Sequence, residues 1–186
     1  MSTLIALLSA LQYIPYFLSI ARRQTRPSVS AWSCFSLSLI VTILASLQTG
    51  TYSILISTGP GLLCQIAIIL IGLRLGVAHM PDRMERIILA TILLSVLLWW
   101  LADSPELAIL INLLIDIVGT GLVLKKLHAL PRTEAPATWA LGTLGSGLAA
   151  WHFSGTIDTS YLYLLALFAS NLSVLGMIVW QGVRLR

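Results

Sequence analysis

Apolar residues in this chain come in long runs that do not alternate with polar ones. Stretches such as 54–75 and 87–100 are mostly aliphatic from end to end. A half-buried strand would repeat with period two, and a membrane barrel would repeat short alternating segments. The pattern therefore predicts helices. Crossing a hydrocarbon core takes about 20 mostly apolar residues. Seven stretches approach that length: 3–21, 31–48, 53–73, 87–102, 107–124, 139–153 and 161–181. Polar or turn-forming residues divide them: Arg22-Arg23, Thr49-Gly50-Thr51, the charged stretch 79–86, Asp103-Ser104-Pro105-Glu106 and the loop 125–138. Pro105 suits the first turn of a helix. None of the intervening segments is long or polar enough to form a second domain.

Composition moves the expectation from helices to membrane helices. Of 186 residues, 58% are hydrophobic and 10% charged, against roughly 25% charged in a soluble domain. So short a soluble chain could not bury that much apolar surface, whereas a bilayer only requires backbone groups to be satisfied within the segment. The expected class is an all-α integral membrane protein with the bilayer as its partner. The net charge of +4 would raise nucleic acid as a ligand, but no basic stripe is interleaved with aromatics, so none is expected. With seven spans, one side of the membrane receives Arg22, Arg23, Arg26, Arg74, Arg83, Arg86, Lys125, Lys126, Arg132, Arg184 and Arg186, all the basic residues of the chain. The other side receives Asp103, Glu106 and Asp158. A random split this complete would arise roughly once in a thousand chains, and the positive-inside bias makes the basic side cytoplasmic. The expected topology in the plasma (inner) membrane has the N-terminus outside and the C-terminus in the cytoplasm. Met1-Ser2-Thr3 carries no basic n-region, so no cleaved signal peptide is expected. Cys34 and Cys64 form neither a disulfide framework nor a metal pattern, and no metal or other cofactor is expected.

The chain also repeats itself. Arg26-Pro27-Ser28-Val29-Ser30-Ala31-Trp32 parallels Thr133-Glu134-Ala135-Pro136-Ala137-Thr138-Trp139, and Ile71-Gly72-Leu73-Arg74-Leu75 parallels Gln181-Gly182-Val183-Arg184-Leu185. Arg22-Arg23 and Lys125-Lys126 each close the first span of their set. Spans one to three thus recur as five to seven in the same orientation, and span four inverts the chain between them. The segments are 1–76, a first three-helix bundle; 77–104, a loop and linker helix; and 105–186, a second bundle. This 3+1+3 layout resembles the SWEET and PQ-loop superfamily over nearly the whole chain, and among its members it looks most like bacterial ones with a Pro131, Glu134, Trp139 pattern after helix five. At the proline-glutamine position of the first helix this chain has Pro15-Tyr16, and in the second half Val118-Gly119 or Gly119-Thr120, without the glutamine. The resemblance implies a carrier whose helix-seven asparagine, here Asn171, meets the solute, with Gly61 at the equivalent place in the first half.

Polar residues deep in a span are costly and mark function or helix contacts. Gln12, Gln65, Asp116 and Asn171 fall near the middle of their spans, and Asn112 lies one turn from Asp116 on the same face. They are the candidate solute-binding residues, at the depth where such carriers bind. The plainer alternative is that the amides join helices, at about 0.6 kcal/mol each. Asp116 is the one acid deep in any span, where the uncharged acid is favoured and proton coupling becomes available; an ion pair with a basic residue is the alternative. Pro15 and the Gly59-Pro60-Gly61 run are candidate hinges, or static kinks. Gly142, Ser146 and Ala150 are expected at a close helix contact, and Trp32, Trp99, Trp100, Trp139, Trp151 and Trp180 in an interfacial belt. His79, His128 and His152 form no zinc motif, and Gly145-Ser146-Gly147 lacks the surroundings of a serine nucleophile, so an enzyme is not expected. The functional expectation is a carrier for a small polar solute of the sugar, amino-acid or vitamin type. A receptor or scaffold of the same fold is the alternative, and a homo-oligomer is compatible with either.

Overall fold

A computed structural model describes residues 2–48, 53–102, 105–152, 154 and 159–184. Of the acids expected opposite the basic side, Asp103 and Asp158 lie outside the described residues. The described chain is helical: α1 (Ser2–Leu11), α2 (Tyr13–Ala21), α3 (Val29–Gln48), α4 (Ser53–Arg74), α5 (Arg83–Ala102), α6 (Pro105–Ala129), α7 (Pro136–His152) and α8 (Thr159–Arg184). The expected first span is two helices divided at Gln12. Gln12 keeps helical dihedrals, and its N–H donates to the Leu8 carbonyl at 3.1 Å, so α1 and α2 form one interrupted rod. The cause is local: Pro15 has no N–H to give the Leu11 carbonyl, and its ring crowds that turn. Pro60, by contrast, sits inside α4 without interrupting it.

Two helices reach further than their apolar runs. α6 was expected to stop at residue 124 and continues to Ala129, so Lys125 and Lys126 are helical and the loop begins later. α5 begins at Arg83, where Asp82 caps it: its Oδ1 accepts the Glu85 N–H at 2.8 Å, satisfying one of the orphan donors of a first turn. Gly76 follows α4 in the left-handed region (φ 66), and Arg23 (φ 57) and Arg132 (φ 60) adopt it beyond α2 and α6. A left-handed residue of this kind commonly ends a helix.

α3 packs most extensively on α6 and α4, and α7 on α8; α6 also lies along α8, and the α1–α2 rod lies along α7 and α4. Among the described residues α5 touches only α3 and α6. Its buried residues are Glu85, Ile92 and Trp99, spaced by seven, one stripe flanked by the half-buried Ile88, Leu89 and Val96. Exposed large residues are aliphatic along most of the helices, for example Leu63, Leu70, Leu94, Leu101, Leu114 and Val183, while Ser30, Ser38, Gln65, Asn112, Asp116 and Thr120 are buried. Among the described residues two helices, Arg83–Leu101 and Tyr161–Arg184, are long and apolar enough to cross a membrane; Leu7–Ala21, Val29–Ala45 and Gly59–Arg74 are apolar but shorter. The architecture is compatible with an α-helical membrane protein.

The tryptophans divide. Trp100, Trp151 and Trp180 are exposed, as an interfacial belt requires. Trp32, Trp99 and Trp139 are buried, against expectation, and the indole N–H groups of Trp32 and Trp139 are engaged inside the protein.

Candidate functional site

The polar interior falls into three groups. The first joins α3, α6 and α8 around Asp116. Its carboxylate accepts the Tyr163 hydroxyl at 2.7 Å. One turn away Asn112 Nδ2 donates to Thr42 Oγ1 at 2.9 Å, and that hydroxyl donates to the Ser38 carbonyl at 3.0 Å. The helices are drawn close here because Gly119 has no side chain: a Cβ there would stand 2.8 Å from Phe35 and 3.0 Å from Cys34. Ser38 Oγ faces the Asp116 carboxylate and the Tyr163 hydroxyl, and Asn112 Oδ1 is buried without a hydrogen-bond partner. Buried polar groups are almost always paired, and this amide oxygen is an exception to that rule, as are Gln65 Oε1 and Thr138 Oγ1 elsewhere in the fold. The ion pair considered for Asp116 is not formed: the ion pairs among the described residues involve Asp82, Glu85 and Glu134.

The second group brings Gln12 and Asn171 together over α7. A Cβ at Gly142 would meet Gln12 Oε1 and Asn171 Oδ1, each at 2.7 Å. Each amide nitrogen donates into its own rod, Gln12 to the Ser9 carbonyl and Asn171 to the Leu167 carbonyl, both at 2.9 Å. Two amide oxygens thus converge on one glycine. Gln65 is separate: its Nε2 donates to the Tyr13 hydroxyl at 3.2 Å, its Oε1 has no partner, and Gly61 lies against the same hydroxyl. Asn171 and Gly61 do not meet each other. Pro15 stands one turn after Gln12, and Pro60 is exposed on α4.

The third group, at the basic end, escaped the sequence reading. Lys126 and Glu134, both side chains fully buried, form an ion pair. Glu134 also accepts the Trp139 indole N–H at 3.0 Å and the Tyr16 hydroxyl at 3.3 Å, and Tyr16 in turn accepts the Trp32 indole N–H at 2.9 Å. Lys126 Nζ donates to the Arg26 carbonyl at 2.6 Å, and the Arg26 N–H donates to the Thr133 carbonyl at 3.0 Å. Trp32 and Trp139 occupy matching places in the repeat, which was the available signal; their reading as lipid-facing belt residues hid it. Lys125, the next residue on α6, points outward instead, to Asp82 at 2.5 Å and Glu85 at 2.8 Å. The two hydrogen bonds raise the lysine, and the Lys125 bond, helped by the Glu85 backbone N–H, holds Asp82 below the usual carboxylate range.

A cavity of about 400 Å³ opens between α6 and α8 beside Thr120 and Ser170, and one of about 380 Å³ between the connections at the basic end. Neither is lined by Gln12, Gln65, Asn112, Asp116 or Asn171. Comparison with family models, curated proteins and solved structures finds no match to this chain.

Proposed function

We infer that this chain is a seven-span membrane carrier for a small polar solute, with the solute held between two three-helix bundles. The observation that carries the reading is the buried polar group of Ser38, Asn112, Asp116 and Tyr163, with the Asn112 amide oxygen unmatched, in a protein whose exposed large residues are mostly aliphatic. The packing supports the bundles. In the repeat the α1–α2 rod, α3 and α4 correspond to α6, α7 and α8. The α3–α6 seam then maps onto the seam between α7 and the α1–α2 rod, as a two-fold axis between bundles requires. Such folds in the SWEET and PQ-loop manner work by rocking one bundle on the other. In the conformation described, the Lys126–Glu134 group ties the bundles at the basic, cytoplasmic end, so solute would leave to that side only after the Tyr16–Glu134 and Lys126–Arg26 bonds part. Pro15, at the break in the first rod, is placed to act as a hinge. Asp116, bonded to a hydroxyl and not to a cation, is free to exchange a proton as the solute moves.

The test begins with a thermal-shift screen of the purified protein against sugars, amino acids and vitamins. The solute that stabilises it is then followed as flux into proteoliposomes. Asn112→Ala and Asn171→Ala are expected to abolish that flux, and Asp116→Asn to remove its response to an imposed pH gradient. Binding without flux in the wild type would turn the reading to a receptor. Orientation is tested separately: in intact cells Ser154→Cys should react with an impermeant thiol reagent and Gln24→Cys should not, and the reverse pattern would invert the topology. Gln24 is chosen because its neighbour Thr25 is fully buried.

A further inference from the structure

The 380 Å³ cavity at the basic end sits where two connections are laced together. The Val29 N–H donates to the His79 carbonyl at 3.0 Å, and the His79 N–H donates to the Pro27 carbonyl at 2.8 Å. Gly72 lets Pro27 lie against α4, since a Cβ there would stand 2.5 Å from the proline ring. The lining includes Arg23, Arg26, Gly76, His79 and Met80 and no acidic side chain. Most of its backbone donors are already spent: the N–H groups of Arg23, Arg26, Gly76, Val77, Ala78 and His79 all donate to carbonyls. The charge in the cavity therefore comes from side chains. The ion pairs among the described residues use Lys125 and Lys126 and occupy Asp82, Glu85 and Glu134, which leaves the Arg23 and Arg26 guanidinium groups without a carboxylate. Arg23 also holds a left-handed backbone (φ 57) that favours glycine.

We propose that this cavity binds a phosphate group, gripped by the Arg23 and Arg26 side chains with His79 as a third donor. A guanidinium fork matches two phosphate oxygens at once, and the volume lies within the range of small-ligand sites, about 300–1,000 Å³. The phosphate can belong to an anionic lipid headgroup, since basic pockets on the cytoplasmic face take such groups, or to a soluble phosphate. The site stands independently of transport and rests on the membrane reading only for the lipid source.

The experiment uses the full chain in neutral detergent. Phosphatidylglycerol and phosphatidylcholine are titrated at equal mole fraction, and inorganic phosphate is titrated against chloride at matched ionic strength, with Tm as the readout. Phosphatidylglycerol is expected to raise Tm while phosphatidylcholine does not. Arg23→Gln and Arg26→Gln should each weaken the response about fivefold, since each basic residue near a surface contributes about that factor. Arg86→Gln, outside the cavity, should leave it unchanged. Arg23→Gly removes the charge while suiting the left-handed backbone, so lost binding with an undiminished lipid-free Tm isolates recognition from folding. An equal response to inorganic phosphate assigns a soluble source and keeps the site. No response to either phosphate, or the wild-type response in Arg23→Gly/Arg26→Gln, overturns it. A lower lipid-free Tm in the arginine variants without any phosphate dependence also overturns it, because the arginines would then only answer the carbonyl ends of α2 and α4.

Discussion

Lys126 and Asn112 stand on the same helix, about 21 Å apart at 1.5 Å per residue, and the fold treats them in opposite ways. Lys126 is fully buried, yet its ammonium meets Glu134 and the Arg26 carbonyl, and Glu134 meets two further donors. Asn112 is buried with its amide oxygen unmatched. Leaving a buried polar group unpaired costs about 1–3 kcal/mol; the same holds at Gln65 Oε1 and Thr138 Oγ1, whereas the lysine–glutamate pair is fully matched. The contrast separates a matched region that holds the bundles together from a region that, on the proposed carrier reading, receives the solute.

The holding region should fail hardest. Glu134→Ala strands a buried ammonium, and the expected loss of stability is about 3–5 kcal/mol, whereas replacing both partners by Lys126→Met and Glu134→Leu should recover most of it. Chemical unfolding in micelles measures both, and a Glu134→Ala protein as stable as the wild type would erase the distinction. Gly142→Ala comes next. The added methyl cannot coexist with Gln12 Oε1 and Asn171 Oδ1 where they now lie, but these are the ends of flexible side chains, so displacing them should cost about 1 kcal/mol together with solute binding. A variant of unchanged stability that still binds would show that the two oxygens do not converge there. In the receiving region, Asn112→Ala should cost only about 0.6 kcal/mol and Ser38→Ala nothing, while both weaken solute binding at least tenfold; a large loss of stability in either would reclassify the pair as structural. The smallest effect belongs to the exposed tie between Lys125 and Asp82. Asp82 is held low, so its contribution is present above the ordinary carboxylate value of about 3.9 and fades as pH falls through its lower folded value. Lys125 is raised, so its contribution is complete below about 10.4 and fades above its higher folded value. Tm of Asp82→Asn should therefore track the wild type at acid pH and lie slightly below it near neutrality, where a scan that shows no gap would remove the tie.

Long apolar runs made the helices legible, because length and hydrophobicity are properties of the segment itself. Their ends were less so: α6 runs past Lys125 and Lys126 because Lys126 finds Glu134 eight residues on, a partner that hydropathy cannot see. Depth picked out Gln12, Asn112, Asp116 and Asn171, and the spacing of Asn112 and Asp116 placed them on one face. Which helices meet was not readable. Tyr163 lies near the start of α8, and nothing in its local sequence ties it to Asp116. The meeting of Gln12 with Asn171 depends on Gly142, a residue that sequence marks only as small. Trp32 and Trp139 show the same limit in reverse, since tryptophan near a span end fits a lipid interface and a buried network equally well until the packing is known.

The break at Gln12 carries one more consequence, for genetics. Pro15 withholds the donor that the Leu11 carbonyl would have had, which frees a backbone acceptor one residue from Gln12, on the rod that faces Asn171. No change of the Leu11 side chain can delete that oxygen, so a scan that truncates side chains one at a time would pass over it and report the rod as tolerant. The informative substitution lies four residues away: Pro15→Ala returns the missing N–H, closes the ladder and silences the acceptor without touching any polar side chain of the core.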